Sequence, residues 1–198
     1  MNVPNKITIC RIALSVLLLI IMIFPLDKVG ITFPVFKLGS TLLVNSKNIL
    51  CGVIFMTASL TDFLDGHLAR KYNMVTDMGK VLDAIADKIL VNGVLIILAL
   101  NTIPVIIPVI IVSRDIIVDS IKMVAGRKSG AVGASMAGKI KTACMLTGIT
   151  LLFFEDLPFS LLGISHVSLV IIVIATILSV ISGVQYYVKN KKYLTDNM

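Results

Sequence analysis

Apolar and polar residues follow one another in long blocks along this chain. Six apolar segments, each near the roughly 20 residues that a helix needs to cross a bilayer, are separated by shorter polar stretches. They cover residues 8–25, 47–64, 80–100, 103–123, 138–156 and 162–188. The connection "NTIP" indicates a tight turn in which Pro104 starts the fourth span, and the stretch around Pro158 separates the fifth span from the sixth. The pattern predicts an all-α membrane protein with six transmembrane helices, in which residues 1–198 form one domain.

The connection between the first two segments is longer and mixed in character. Residues 26–46 read "LDKVGITFPVFKLGSTLLVNS", with Val, Phe and Leu among polar residues. Such a stretch fits an interfacial helix or a hairpin at the headgroup boundary. A structureless loop is also compatible with this sequence.

Composition agrees with a membrane protein. Hydrophobic residues make up 57% of the chain and charged residues 15%, with a mean hydropathy of +1.01. Soluble domains carry about 25% charged residues. The net charge of +7 would also suit a nucleic-acid-binding protein, but Trp is absent and basic residues are not interleaved with aromatic ones. We therefore expect no nucleic-acid partner, and contact with anionic membrane lipids instead.

The basic residues are distributed unequally between the two sides of the predicted bundle. One side collects Lys6, Arg11, Arg70, Lys71, Lys80, Lys122, Arg127, Lys128, Lys139, Lys141, Lys189, Lys191 and Lys192. The other side holds Lys28, Lys37 and Lys47. Because cytoplasmic loops carry the excess of Lys and Arg, both termini are predicted to be cytoplasmic.

Five of the eleven acidic residues lie between Ser59 and Lys88, at the cytoplasmic ends of the second and third spans. Asp62 and Asp65 are three residues apart, and Asp83 and Asp87 are four apart. Side chains at these spacings lie on one face of a helix. Gly79 extends the stripe of Asp83 and Asp87 by one turn.

Ionised carboxylates are costly in hydrocarbon, by about 2.5–3.5 kcal/mol each, and four of them together repel one another. A shared divalent cation resolves both problems, and oxygen ligands suit Mg²⁺ or Mn²⁺. Zinc would call for Cys or His ligands, and only His67 is near. The alternative is a set of solvated charges at helix ends, which fits Asp77 and His67.

Small residues and one arginine accompany the aspartates. Gly66 follows Asp65, and Ala69 lies one turn later. Small side chains let a bulky group approach the backbone, and Arg70 offers a forked donor for phosphate oxygens. Carboxylates, a metal ion, small residues and an arginine together describe a nucleotide-diphosphate site.

These residues resemble the signature of a known family. The pattern Asp62-x-x-Asp65-Gly66-x-x-Ala69-Arg70, eight residues, then Gly79-x-x-x-Asp83-x-x-x-Asp87 resembles the signature of the CDP-alcohol phosphotransferases at every defining position. The opening "VPNKITICRIAL" and the later "SRDIIVDSIK" and "GASMAGKIKTACM" look like the bacterial branch that makes phosphatidylglycerophosphate. The similarity extends over most of the chain.

The resemblance implies an enzyme that transfers the phosphatidyl group of CDP-diacylglycerol to an alcohol and releases CMP, with two divalent ions, Mg²⁺ or Mn²⁺. It implies a homodimer in the bacterial cytoplasmic membrane, with its active site in a polar cavity facing the cytoplasm. Asp62, Asp65, Asp83 and Asp87 match the metal ligands, and Asp87 also matches the general base. The matching contacts to CDP-diacylglycerol are Asn5, Thr8, Arg11, Asp65, Gly66, Ala69, Arg70 and Gly79.

The acceptor alcohol has to be recognised outside the signature. Arg114 lies inside an apolar run, where an unpaired charge is costly. A phosphate on the substrate would explain it, and Lys139 and Lys141 would assist, which favours sn-glycerol 3-phosphate as the acceptor. An ion pair with Asp115 or Asp119 is the structural alternative.

Two other functions are compatible with parts of the pattern. A synthase of the same family that uses another alcohol, such as inositol phosphate, would share the signature. A cation transporter would also use intramembrane carboxylates, but it calls for acidic residues near the middle of the membrane on broken helices. These aspartates lie at one edge, beside Arg70.

Overall fold

The computed structural model describes residues 3–30, 32–38, 42–71, 76–129 and 136–195. Within these ranges the chain forms six α-helices and one two-stranded hairpin. The helices are α1 (Val3–Ile23), α2 (Ser46–Lys71), α3 (Asp77–Leu98), α4 (Ile106–Ser129), α5 (Met136–Phe153) and α6 (Val167–Thr195). The prediction of a helical protein is confirmed, and each helix overlaps one predicted apolar segment.

Several helix boundaries differ from the predicted segments, and three of these differences concern the end of α2 and the starts of α4 and α6. α2 continues beyond residue 64 to Lys71, so its aspartates lie within the helix and not at its end. α4 begins at Ile106 and not at Pro104, because residues 99–105 still belong to the turn. α6 begins at Val167 and not at residue 162, because Gly163 and His166 take left-handed backbone conformations (φ 78° and 66°) that a right-handed helix does not accommodate.

Three of the six helices are long and apolar enough to cross a membrane. These candidate spans are Asn5–Ile23, Met136–Phe153 and Val167–Lys191, found among the residues that the structure describes. The chain is therefore a membrane protein. α2, α3 and α4 contain more charged residues than the other three helices, among them the aspartates and Arg114 of the candidate site. That all six helices span the bilayer stays a prediction.

The connection between α1 and α2 contains a hairpin. A 3-10 turn at Leu26–Val29 is followed by antiparallel strands β1 (Val35–Leu38) and β2 (Leu42–Asn45), with Val35 opposite Asn45. Of the predicted alternatives for this segment, the hairpin is confirmed and the structureless loop is wrong. The Val35 and Phe36 side chains are exposed, as expected of apolar residues at a headgroup boundary.

The helices pack around a continuous apolar core. α1 contacts α2 and α3, α5 packs along α6, and α4 also packs against α6. Between α5 and α6 the backbones approach closely: a Cβ at Gly148 would lie 2.7 Å from Ile172 Cγ1. Small residues at such contacts are typical of helix packing in membranes. The core includes Leu18, Phe55, Val94, Leu95, Ile111, Met145, Ile149, Ile172 and Ala175.

Two polar contacts show which helix ends lie together. Lys47 at the start of α2 donates to the carbonyls of Met22 and Phe24 at the end of α1, both at 3.3 Å. Asn48 donates to Glu155, just after α5, at 2.8 Å. The opposite end of the bundle therefore contains the first half of α1, the second half of α2 and the start of α3. The aspartates lie at this end, on α2 and α3.

Candidate active site

The start of α3 is fixed by a side-chain cap. Thr76 has extended backbone angles (φ −113°, ψ 153°), and its Oγ1 accepts a hydrogen bond from the Gly79 backbone N–H at 3.0 Å. Threonine in this position satisfies one of the free N–H groups of the first turn. From this start, helical periodicity places Gly79, Asp83 and Asp87 along one stripe of α3, as predicted.

Gly79 is also the point where α1 approaches α3. A Cβ at Gly79 would lie 2.8 Å from Asn5 Oδ1 and 2.9 Å from Thr76 Oγ1. The Asn5 side chain lies 3.4 Å from the Thr76 hydroxyl, within hydrogen-bonding distance. The predicted CDP-diacylglycerol contacts Asn5 and Gly79 are therefore neighbours, and here Asn5 and Thr76 use the space left by the missing side chain.

Arg11 joins the helices that carry the aspartates. Its Nη1 forms an ion pair with Asp62 Oδ1 of α2, and its Nη2 pairs with Asp83 Oδ1 of α3. The same Nη2 donates to the Asp83 carbonyl at 3.2 Å. Arg11 is 1% exposed, so the pairs lie behind the carboxylates, within the bundle. The structure thus brings two predicted metal ligands, 21 residues apart in sequence, to one guanidinium.

The two paired carboxylates remain accessible from the open side. The Asp62 and Asp83 side chains are 44% and 50% exposed, and Asp87, one turn after Asp83, is exposed as well. Among the described side chains, no three Asp, Glu, His or Cys residues are grouped closely enough to hold a metal ion. The oxygen donors of Asp62, Asp83 and Asp87 fit a hard divalent cation. The predicted site residues whose side chains lie outside the described part of the structure are Asp65, Ala69 and Arg70, all in α2.

A second cluster of charges surrounds Asp115 on α4. Arg114 Nη1 lies 3.0 Å from Asp115 Oδ1, and Lys141 Nζ of α5 lies 3.2 Å from the same oxygen. Arg114 Nε donates to the Ser179 carbonyl of α6 at 2.9 Å, and its Nη2 donates to the Ser182 hydroxyl. We call Arg114, Asp115 and Lys141 the Asp115 cluster; all three side chains are less than one-fifth exposed.

The Asp115 cluster contains two of the three predicted acceptor-binding cations. Arg114 and Lys141 converge on one carboxylate, so the ion pair considered as the structural alternative for Arg114 is present. Lys139, the third, is exposed in the first turn of α5. A small cavity of about 20 Å³, lined by residues that include Asp87, Asp115 and Lys141, joins this cluster to the end of the aspartate stripe. Its volume is about that needed for one water molecule.

Three residues of this region were not singled out from the sequence. Thr76 caps α3, and Ser179 and Ser182 hold Arg114 from α6. The two serines carry a recognisable signal, because they are polar, buried and three residues apart in an otherwise apolar helix. The signal for Thr76 is its place three residues before Gly79 at a helix start.

The remaining predicted residues lie in α1, α2 and α3. Thr8 is buried in α1, one turn before Arg11, and Gly66 lies in α2 next to Asp65. Two residues interpreted as solvated charges, Asp77 at the start of α3 and His67 in α2, have side chains outside the described part.

Known proteins resemble the chain over most of its length. A protein of Bacillus subtilis (strain 168) named CDP-diacylglycerol–glycerol-3-phosphate 3-phosphatidyltransferase is 38% identical over 195 residues, which cover 96% of this chain and 95% of that protein. A protein of the same name from Rickettsia bellii (strain RML369-C) is 33% identical and covers 97% of each. A probable phosphatidylglycerophosphate synthase of Mycobacterium tuberculosis (strain CDC 1551 / Oshkosh) is 38% identical, covering 72% of this chain and 66% of its own.

The family model described as CDP-alcohol phosphatidyltransferase matches residues 1–181. The matched region includes the aspartates of α2 and α3, Arg11 and the Asp115 cluster. Because the family model matches most of the chain and the relatives are similar over most of its length, the chain belongs to the CDP-alcohol phosphatidyltransferase family.

Proposed function

We propose that this chain transfers the phosphatidyl group of CDP-diacylglycerol to sn-glycerol 3-phosphate and releases CMP. The observation that carries the proposal is the full-length similarity to enzymes with that name, together with the complete aspartate signature on α2 and α3. The reaction makes phosphatidylglycerophosphate, the precursor for phosphatidylglycerol. Residues 1–198 act as one catalytic domain in this proposal.

Asp62, Asp65, Asp83 and Asp87 are the residues that would hold the divalent cations on which this family generally depends. Mg²⁺ or Mn²⁺ bound there supplies positive charge for the diphosphate of the substrate and for the departing CMP. Asn5 supports the nucleotide-binding set, because its side chain lies against the backbone at Gly79. The residues that bind the nucleotide in this proposal are Gly66, Ala69, Arg70 and Gly79.

Asp87 acts as the general base in this proposal. It is exposed, and the small cavity that it lines together with Asp115 and Lys141 places it next to the cations proposed to bind the acceptor phosphate. A base has to be within hydrogen-bonding reach of the proton that it removes. Deprotonation of the acceptor hydroxyl lets its oxygen attack the β-phosphorus, the one that carries diacylglycerol, while the bond to CMP breaks.

Arg114, Lys139 and Lys141 bind the acceptor phosphate in this proposal. Arg114 and Lys141 share Asp115, so an arriving phosphate would compete with that carboxylate for the same cations. Burial strengthens such charge-assisted hydrogen bonds, and an acceptor without a phosphate would leave the cations on Asp115. Recognition by charge therefore favours a phosphorylated alcohol.

The enzyme works in the bacterial cytoplasmic membrane as a homodimer in this proposal, with both termini and the active site facing the cytoplasm. The distribution of Lys and Arg supports that orientation. The helix arrangement is compatible with it, because the aspartates of α2 and α3 lie at the end of the bundle opposite Lys47 and Glu155.

The test uses purified protein in detergent with CDP-diacylglycerol and Mg²⁺ or Mn²⁺, with each alcohol offered separately. We expect CMP release with glycerol 3-phosphate and none with serine or glycerol. Release with inositol phosphate alone would change the acceptor and keep the reaction class. No release with any alcohol would refute the enzyme assignment.

A further inference from the structure

A charged side chain is buried in the middle of the apolar α1 helix. Arg11 is 1% exposed, and its Nε and Nη1 atoms are both closed off from solvent. A buried guanidinium is costly unless acidic or polar groups surround it. The Arg11 backbone carbonyl accepts a hydrogen bond from Ser15 Oγ, one turn later in α1, at 2.8 Å. A position this enclosed is one that a nucleotide-bearing lipid does not reach.

The partners of Arg11 come from two other helices. Nη1 pairs with Asp62 of α2, and Nη2 pairs with Asp83 of α3 and also donates to the Asp83 carbonyl. The guanidinium group is planar and rigid, with its donors in fixed directions. Two carboxylates bound to the same guanidinium are therefore held at a set separation and orientation, which flexible side chains on separate helices do not maintain alone.

Arg11 uses one oxygen of each carboxylate. Both ion pairs are made to Oδ1, and the Asp62 and Asp83 side chains are nevertheless about half exposed. The carboxylates thus lie between a buried cation and the open side of the site. Groups that hydrogen-bond to metal ligands from behind fix the ligand orientation, and their loss typically costs about 10–100-fold in metal affinity or activity.

We propose that Arg11 is a positioning residue that holds Asp62 and Asp83 ready for a divalent cation, and that it does not contact the substrate. This inference rests on the proposed metal-dependent function. It replaces the role of CDP-diacylglycerol contact that the sequence resemblance implied for Arg11. In the absence of metal the guanidinium also offsets the mutual repulsion of the two carboxylates, so the ligands stay assembled before the ion binds.

The direction in which the cation affinity changes when Arg11 is replaced distinguishes a positioning role from a purely electrostatic one. A guanidinium near a metal site repels the metal, so removing its charge alone would tighten cation binding. Removing a positioning group loosens the ligands and weakens cation binding. A loss of affinity in a variant without the charge therefore reports positioning.

The experiment measures Mn²⁺ binding by electron paramagnetic resonance, with the purified full chain in detergent and without substrate. Arg11→Met keeps a long apolar side chain and removes the guanidinium group. We expect the dissociation constant of this variant for Mn²⁺ to be about 10–100-fold higher than that of the wild type. Arg11→Lys keeps the charge but has no planar fork, and we expect a smaller rise. Lys47→Met is the matched control, because Lys47 also links α1 to α2, but at the other end, through the carbonyls of Met22 and Phe24. We expect it to bind Mn²⁺ like the wild type.

Unchanged or tighter Mn²⁺ binding in Arg11→Met would overturn the proposal. If that variant also has a raised KM for CDP-diacylglycerol, Arg11 is a substrate contact instead. If Arg11→Met is not monodisperse, the Arg11→Lys variant is used for the test. An Mn²⁺ affinity of Arg11→Lys equal to that of the wild type would then overturn the proposal.

The wild type and Asp83→Asn separate this inference from the proposed function. If the wild type binds no Mn²⁺, or if Asp83→Asn binds it equally well, the metal site fails and the Arg11 proposal fails with it. If Asp83→Asn loses Mn²⁺ while Arg11→Met keeps it, the metal site stands and only the role of Arg11 is refuted.

Discussion

The Asp115 cluster allows a quantitative prediction, because α4 carries a matched second carboxylate. Asp115 is 16% exposed and pairs with Arg114 and Lys141, which are 14% and 11% exposed. Asp119, one turn later, also pairs with two cations, but there all three side chains are about 40% exposed. Those two cations are Lys88 and Lys122. Asp115→Asn and Asp119→Asn are therefore the same change made to a buried and to an exposed ion-pair network.

The expected losses of stability differ because of burial. Removing one partner of a buried ion pair costs about 3–5 kcal/mol, since the remaining charges are left without a counter-ion. The slight exposure of the Asp115 cluster places the expected loss near the lower end, about 3 kcal/mol. Exposed pairs contribute about 0–1 kcal/mol. For a chain of this length 1 kcal/mol shifts Tm by about 2–4 °C, so we expect a fall of about 6–12 °C for Asp115→Asn and at most about 4 °C for Asp119→Asn.

The assay heats purified protein in detergent and measures the fraction that still elutes as a monodisperse peak on size-exclusion chromatography. A double variant with Lys141→Met tests the pairing directly: its loss should be smaller than the sum of the two single losses. High salt should reduce the effect of Asp119→Asn, because exposed charges are screened. Equal shifts for the two single variants, or a larger shift for Asp119→Asn, would refute the assignment of Asp115 as a buried counter-ion.

Three further predictions concern the chemistry and the packing. Asp87→Asn should lower kcat at least about 100-fold, as expected for a general base, even where the nucleotide still binds; wild-type turnover would contradict the role of Asp87. Arg114→Ala should raise the KM for glycerol 3-phosphate about 10–100-fold, since a charged hydrogen bond contributes about 1.5–3 kcal/mol, and a larger rise for CDP-diacylglycerol would move Arg114 out of the acceptor site. Gly148→Ala should lower Tm, because its Cβ would lie 2.7 Å from Ile172 Cγ1 and overpacking costs about 1–3 kcal/mol. Gly126→Ala, where a Cβ meets nothing within 4 Å, should not lower Tm, because Ala favours a helix more than Gly does, and equal Tm losses would count against this close packing of α5 and α6.

Local periodicity explains why much of this protein was predictable. An apolar segment of bilayer length forms a helix wherever it lies in the chain, because its backbone groups have to be satisfied within the segment. All six predicted segments are helical in the structure. The stripe of Gly79, Asp83 and Asp87 follows from the helical repeat alone. The signature also depends on short spacings, so the family was recognisable without coordinates.

Helix ends were less predictable, because they depend on a few special conformations. α2 continues to Lys71 through the charged residues that were expected to end it. Just before α6, His166 takes a left-handed backbone conformation, which Gly commonly adopts and His seldom does. The hairpin between α1 and α2 was one of several structures that fit its mixed composition.

Sequence alone determined the fold class, the six helical segments, the family and the set of acidic residues, because each depends on residues close together in the chain. Only the tertiary structure decided which charges meet. Arg11 pairs with Asp83 across 72 positions, and Lys141 reaches Asp115 across 26. No local period relates such residues. Their pairing follows from how α1, α2 and α3, and separately α4, α5 and α6, pack their apolar faces and leave each buried charge beside the nearest opposite charge.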